Sequence, residues 1–296
     1  QTPQYPMLRS LVGSEMCIRD STKADIIYVK SQKLPVNIHP LGCLTKEAKS
    51  KELADLYEMY ESGAVGFYDF KKPLLNPNLL KIALQYVQNF DGLILSFPFE
   101  KSLCPDGQMH EGTVSTNYGL KGISSLSEEL MLKRDLKILE YTGGKIHIPC
   151  ISTEESVKLI KEAKNNKLNV SCSVSINNLF FNDEKLKDFD TRFKVMPPIR
   201  DKRHQKALVK GVSDGTIDFV TSDHSPIDID NKKTDFETYQ KIATGVCKYW
   251  TGQELADDVF VTVMVSWCFG DWRIFEEARK LPWRLCTDDP RVTCPL

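Results

Sequence analysis

The stretch GKIHIPCISTEESVKLIKEAKNNKLNVSCSV (144–174) decides the fold. It holds an apolar run, IHIPCIS (146–152), then TEESVKLIKEAKNNK (153–167) with apolar residues at helical spacing, then a second apolar run, NVSCSVS (169–175). Short apolar runs on either side of an amphipathic helix mark a β-α-β unit, in which two buried strands run parallel.

The alternation continues in both directions. Upstream, VNIHPLGCL (36–44) predicts a strand, and TKEAKSKELADLYEMYESG (45–63) a helix capped by Thr45 and stopped at Gly63. AVGFYDF (64–70) is apolar again, NPNLLKIALQYVQNF (76–90) has helical spacing, and LILSFPF (93–99) is the next strand. SLSEELMLKRDLKILEYTGG (125–144) predicts a helix with a capping box at Ser125–Glu128 and terminal glycines. Downstream, DKRHQKALVKGVSDG (201–215) predicts a helix leading into the strand IDFVTSD (217–223).

Two closures of a parallel sheet come into question. A doubly wound dinucleotide fold carries a glycine-rich first turn, and G-x-G-x-x-G appears nowhere in the chain. A (β/α)₈ barrel places its chemistry at the C-terminal ends of several strands. Here those ends carry Asp69, Cys150, Asn177, Asn178 and Asp223-His224. The expected fold is therefore an α/β (β/α)₈ barrel, with about six clear strands against eight and its N-terminal strands missing.

Composition bounds the function. Apolar residues make up 41% and charged residues 27%, the balance of a globular protein. A net charge of −1 gives no electrostatic reason to expect nucleic acid or an anionic membrane as partner. No apolar run approaches the roughly 20 residues that cross a bilayer. The nine cysteines lack the paired short spacings of a zinc knuckle or a disulfide scaffold, which points to reduced thiols and a cytoplasmic location.

Both ends differ from the middle. Residues 1–21 lack the apolar core of a signal peptide, and Leu11–Ser21 resembles a translated adapter; a non-native leader is the expectation. All four tryptophans (Trp250, Trp267, Trp272, Trp283) and four of the nine cysteines lie beyond residue 246. Residues 236–296 are thus either a different small module or a slipped reading frame, the slip being favoured. Residues 22–235 form the expected barrel segment.

The strand FVTSDHSP (219–226) ends abruptly in a carboxylate beside an imidazole. In barrel hydrolases such a carboxylate binds a metal and takes a proton from metal-bound water. The plainer reading is that Asp223 caps the following loop. Arg200, after Pro197-Pro198, is a candidate either to hold a substrate carboxylate bidentately or to pin a loop by a surface pair.

Five separated segments then agree in order and spacing: GAVGFYDFKKPLLNPNLL, MHEGTVSTNYGLKGISSLSEELMLKRDLKILEYTGG, the 144–174 stretch, FKVMPPIR (193–200) and GTIDFVTSDHSP (215–226). Together, from about Lys23 to Lys233, they resemble the dihydroorotases of the amidohydrolase superfamily. The resemblance implies a metal-dependent barrel that opens or closes the dihydroorotate ring in pyrimidine biosynthesis, with zinc as cofactor. Asp223 stands where the family has its catalytic, metal-contacting aspartate, and His224, a candidate substrate contact, also matches. Asp69 lies in the loop where many relatives carry a metal-bridging aspartate, although the neighbouring acid and glycine are here Phe70 and Lys71. The family's ligand histidines fall on Phe97 and Cys150, its paired histidines on Asn177 and Asn178, and a substrate-contacting asparagine on Met196. His147 matches a non-ligand histidine. The N-terminal His-x-His pair has no counterpart.

What remains of a metal set is Asp69, Cys150 and Asp223, a vestige in which zinc is weak or absent. The expected function is that of a dihydroorotase-like protein with a degenerate metal site, kept for assembly by association with aspartate carbamoyltransferase or with itself. The alternative is an active zinc-dependent enzyme with an atypical ligand set, acting on dihydroorotate.

Overall fold

A computed structural model describes Lys23, Ile26, Ile27, residues 39–189, 193–221, Asp223 and the backbone of 264–266. His224, residues 1–21 and the four tryptophans lie outside the described residues.

Six strands follow one another across one sheet in chain order: β1 (Leu41–Gly42), β2 (Gly66–Phe67), β3 (Ile94–Leu95), β6 (Ile146–Ile148), β7 (Val170–Ser175) and β8 (Phe219–Thr221). Each is parallel to the next. The order never reverses, whereas a doubly wound sheet must reverse at its switch point. A single winding sense is the topology of a barrel wall. The excursion after β3 holds a parallel pair of its own, β4 (Met109–His110) and β5 (Gly122–Ile123). Beyond the strands expected from sequence, β9 (Met264–Ser266) pairs antiparallel with β8.

The connections are α1 (Leu56–Glu61), α2 (Pro77–Val87), α3 (Thr113–Asn117), α4 (Leu126–Thr142), α5 (Glu154–Asn165), α6 (Ile176–Phe180) and α7 (Lys202–Ser213). Asn76, Thr153 and Asp201 cap α2, α5 and α7 through their side chains. α2 packs on α4, α4 on α5 and α5 on α7, which forms the outer layer. Alternation along the strands sorts the core. Phe67, Ile94, Ile146, Ile148, Cys172 and Val174 join the helix-facing cluster with Leu80, Leu132, Ile160 and Leu208. Tyr68, Leu95 and Phe97 join a second cluster with Ile123 and Met196.

Two local expectations change. The helix expected over 45–63 is a 3-10 turn at Lys46–Ala48, then a loop, then α1. Thr45 bridges Leu53, the amide of Lys46 donates to the Glu52 carbonyl, and Glu47, Ala48 and Ser50 take left-handed backbone, so helical continuation is blocked. The capping box at Ser125 does not form either: Ser125 makes no side-chain cap, and Glu128 accepts its bonds from another loop.

Candidate functional site

Asp69, Phe97, Cys150, Asn177 and Asp223 all follow the C-terminal ends of their strands, so the expected residues share one rim of the sheet. Their surroundings differ. Asp69 is fully engaged from the β1 side: its Oδ1 accepts from the amides of Leu44 and Thr45 at 2.9 Å each and from the Cys43 thiol at 3.3 Å. The Thr45 hydroxyl donates to Oδ2. This carboxylate holds the loop after β1.

Asp223 meets a different partner. Lys71 Nζ lies 2.6 Å from its Oδ2, with the two side chains only 12% and 8% exposed. The Asp223 amide donates to Thr221 Oγ1 at 3.1 Å. Burial raises the Asp223 carboxyl, and Lys71 pulls it back. Burial, reinforced by the Asp223 charge, pushes the Cys150 thiol well up, so it stays protonated at neutral pH. Tyr68 lies beside them, accepting from the Lys71 amide at 3.0 Å. Lys71, Cys150 and Asp223 all have left-handed backbone (φ 38°, 55° and 49°).

Among the described residues, this mouth offers few of the donors that zinc favours. A zinc centre needs imidazole, thiolate or carboxylate donors converging at about 2.0–2.3 Å. Phe97, 2% exposed, offers no lone pair, and Cys150 is a buried cysteine. Asp69 accepts three bonds at Oδ1 and one at Oδ2, and Asp223 is ion-paired. Asn177 and Asn178 are amides, poor zinc ligands. Asn178 Nδ2 donates to the Pro198 carbonyl at 2.9 Å. Asn177 Nδ2 and Asn178 Oδ1 are buried without a hydrogen-bond partner among the described residues.

Arg200 is buried rather than at the surface, and it pins loops. Its Nε donates to Ser152 Oγ at 3.1 Å, its Nη1 to the Ile123 carbonyl at 2.7 Å, and its Nη2 lies 3.8 Å from Glu128. Glu128 in turn accepts from the amides of Ser152 (2.8 Å) and Thr153 (3.2 Å), from Ser156 Oγ (2.6 Å) and from the Ser152 hydroxyl. The network ties the start of α4 to the turn between β6 and α5.

On its far side lies a cluster that sequence reasoning missed: the ligand atoms of His110, Asp201 and His204 lie within 4.8 Å of one another, beside a cavity of about 330 Å³. By residue type it could hold a metal. Its hydrogen bonds argue otherwise. Arg200 Nη1 approaches His110 Nδ1 at 3.2 Å and the Glu154 amide donates to His204 Nδ1 at 2.9 Å. Both are obligate donors, which puts the His110 ring proton on Nε2; at His204 the Arg203 Nη2 donor also lies 3.3 Å from Nε2, so both of its ring nitrogens face donors. A metal-bound histidine instead donates its other N–H to an acceptor. His110 Nε2 faces Asp201 Oδ2 at 3.9 Å, and Asp201 Oδ1 caps α7. Burial first, then the Arg200 charge, lowers His110 to about 3, so the ring is neutral.

The strand-end places of Asp223, Asp69 and Cys150 were legible in the sequence. Lys71 and Glu128 were not assigned. The one signal for Lys71 was a lysine at a family glycine position.

Among solved structures, the L-hydantoinase (dihydropyrimidinase) of Arthrobacter aurescens aligns with a TM-score of 0.61 at 18% identity, over 76% of this chain and 52% of its own. The dihydroorotase of Saccharomyces cerevisiae, in complex with 5-fluoroorotic acid, aligns at 0.56 and 18%, over 77% and 63%. The fold is thus that of an incomplete (β/α)₈ barrel. Residues 23–156 match the family described as Dihydro-orotase-like. A curated dihydroorotase of Acetivibrio thermocellus is 38% identical over 81% of this chain and 56% of its own length. One from Pelotomaculum thermopropionicum is 40% identical over 72% and 51%. The chain belongs to the dihydroorotase family of the amidohydrolase superfamily. It spans about half the length of the curated relatives it matches.

Proposed function

We propose that the chain comes from a dihydroorotase-like protein of pyrimidine biosynthesis whose metal site is degenerate and whose role is assembly, with aspartate carbamoyltransferase as partner. The observation that carries this reading is the chemistry at the strand ends: an apolar ring at Phe97 and a buried cysteine at Cys150 stand where the resemblance expects ligand histidines. Without a metal nothing lowers the pKa of a water towards about 7, and a carboxylate base has little to deprotonate. A cytoplasmic location agrees with four buried free cysteines among the described residues and with the lack there of a helix long and apolar enough to cross a membrane.

The test is ring opening of dihydroorotate by the natural protein and its Asp223→Ala variant, with zinc in excess, beside co-purification with aspartate carbamoyltransferase. The expected result is no turnover above background and a stable complex. Turnover that vanishes in Asp223→Ala would favour the second reading, an active zinc enzyme with an atypical ligand set, for which the retained Asp223 speaks.

A further inference from the structure

The Lys71–Asp223 contact is more than one ion pair among many. Of the ion pairs seen among the described residues, several join well-exposed side chains, such as Lys46–Glu52 and Lys121–Asp106, whereas Lys71 and Asp223 are 12% and 8% exposed. They are 152 residues apart in sequence and join the rim after β2 to the rim after β8. Lys71 reaches Asp223 from a backbone that suits glycine. Phe70 and Lys71 both have positive φ, 29° and 38°, where a Cβ crowds the neighbouring carbonyl. A lysine held there needs a compensating interaction, and the 2.6 Å contact supplies it. The surroundings are those of a largely buried cation site: the Phe70 ring centroid lies 5.7 Å from the ammonium, and Tyr68 and Cys150 nearby are buried.

We propose that the Lys71 ammonium takes the charge position which the family gives to a metal ion, so that the mouth is a metal-independent, ion-paired site closed to divalent cations. A buried carboxylate must be neutralised by something. In this chain a side chain supplies the charge, fixed in place and needing no uptake. The phenol of Tyr68, accepting from the Lys71 amide, helps to hold the lysine in place. The inference uses the family's placement of a metal at Asp223 and concerns the same mouth as the assembly reading. It is tested without any assay of turnover or partner.

The experiment is a double-mutant cycle read by thermal melting, each protein with chelator and with added zinc. Lys71→Met and Asp223→Asn should each lower Tm by on the order of 10 °C, because each leaves a buried partner alone. Lys71→Met/Asp223→Asn should recover much of that loss, because neither charge is then stranded. Wild-type Tm should not move with chelator or zinc. A double variant as unstable as the sum of the singles, or unfolded, would overturn the proposal. So would a zinc-dependent rise in wild-type Tm that Asp223→Asn abolishes. A cycle with strong coupling leaves the proposal standing even if the natural protein turns out to open the ring by other means.

Discussion

At the mouth, Asp223 stands at the strand end where a barrel hydrolase puts its metal, but it is paired with the Lys71 ammonium and shares its rim with buried Phe97 and Cys150. On the flank, His110, Asp201 and His204 are of metal-binding type and close together, but both Nδ1 atoms face N–H donors. The strand-end carboxylate meets an ammonium at the mouth, and on the flank both Nδ1 lone pairs meet N–H donors. The difference teaches that a metal centre is read from what the other atoms of each ligand are doing, not from ligand type or position alone.

The largest expected effect falls on the flank. Glu128→Ala strands the Arg200 guanidinium and leaves the Ser152 and Thr153 amides without their acceptor. Loss of one partner from a buried pair costs about 3–5 kcal/mol, and urea unfolding should find a loss of that size. A loss under about 1 kcal/mol, typical of an exposed pair, would show that the network does not hold these loops.

A smaller effect separates the two regions by pH. His147 lies on β6 beneath the mouth, with Ser171 Oγ at 2.9 Å and Ser173 Oγ at 3.2 Å, and burial lowers it to about 4. His110, on the flank, is lowered to about 3. Unfolded, each ring takes a proton near 6.5, so below that pH the unfolded state binds more protons. Stability present above about 6.5 is therefore lost as pH falls towards the folded values, by about 1.4 kcal/mol per pH unit for each histidine. His147→Gln should remove its share of the slope between pH 6.5 and about 4, and His110→Gln its share down to about 3. A slope unchanged in either variant would mean that the ring is solvated in the fold.

The fold was largely legible because its signals are local. Apolar runs such as 146–152 and helical spacing in 153–167 depend only on neighbours in sequence, and β6, α5 and β7 formed within them. What was misread depends on distant partners. The 45–63 segment has helical spacing, yet Asp69, more than twenty residues away, takes the amides of Leu44 and Thr45. Glu128 has the spacing of a capping box but turns to Ser152 and Thr153. The place of Asp223 at a strand end was readable from one motif. That an ammonium sits on it was not, because nothing near Lys71 marks a partner 152 residues on. The histidine cluster joins the β4–β5 excursion to the start of α7, a proximity that only the fold creates.

The comparison comes down to zinc content. Equilibrium dialysis of this chain against zinc, followed by elemental analysis, would count the metal held by wild type, Asp223→Asn and His110→Gln/His204→Gln. The account predicts substoichiometric zinc in all three, with no difference between them. Zinc near one per chain in wild type, lost on substitution at either region, would contradict it and identify the region that holds the metal.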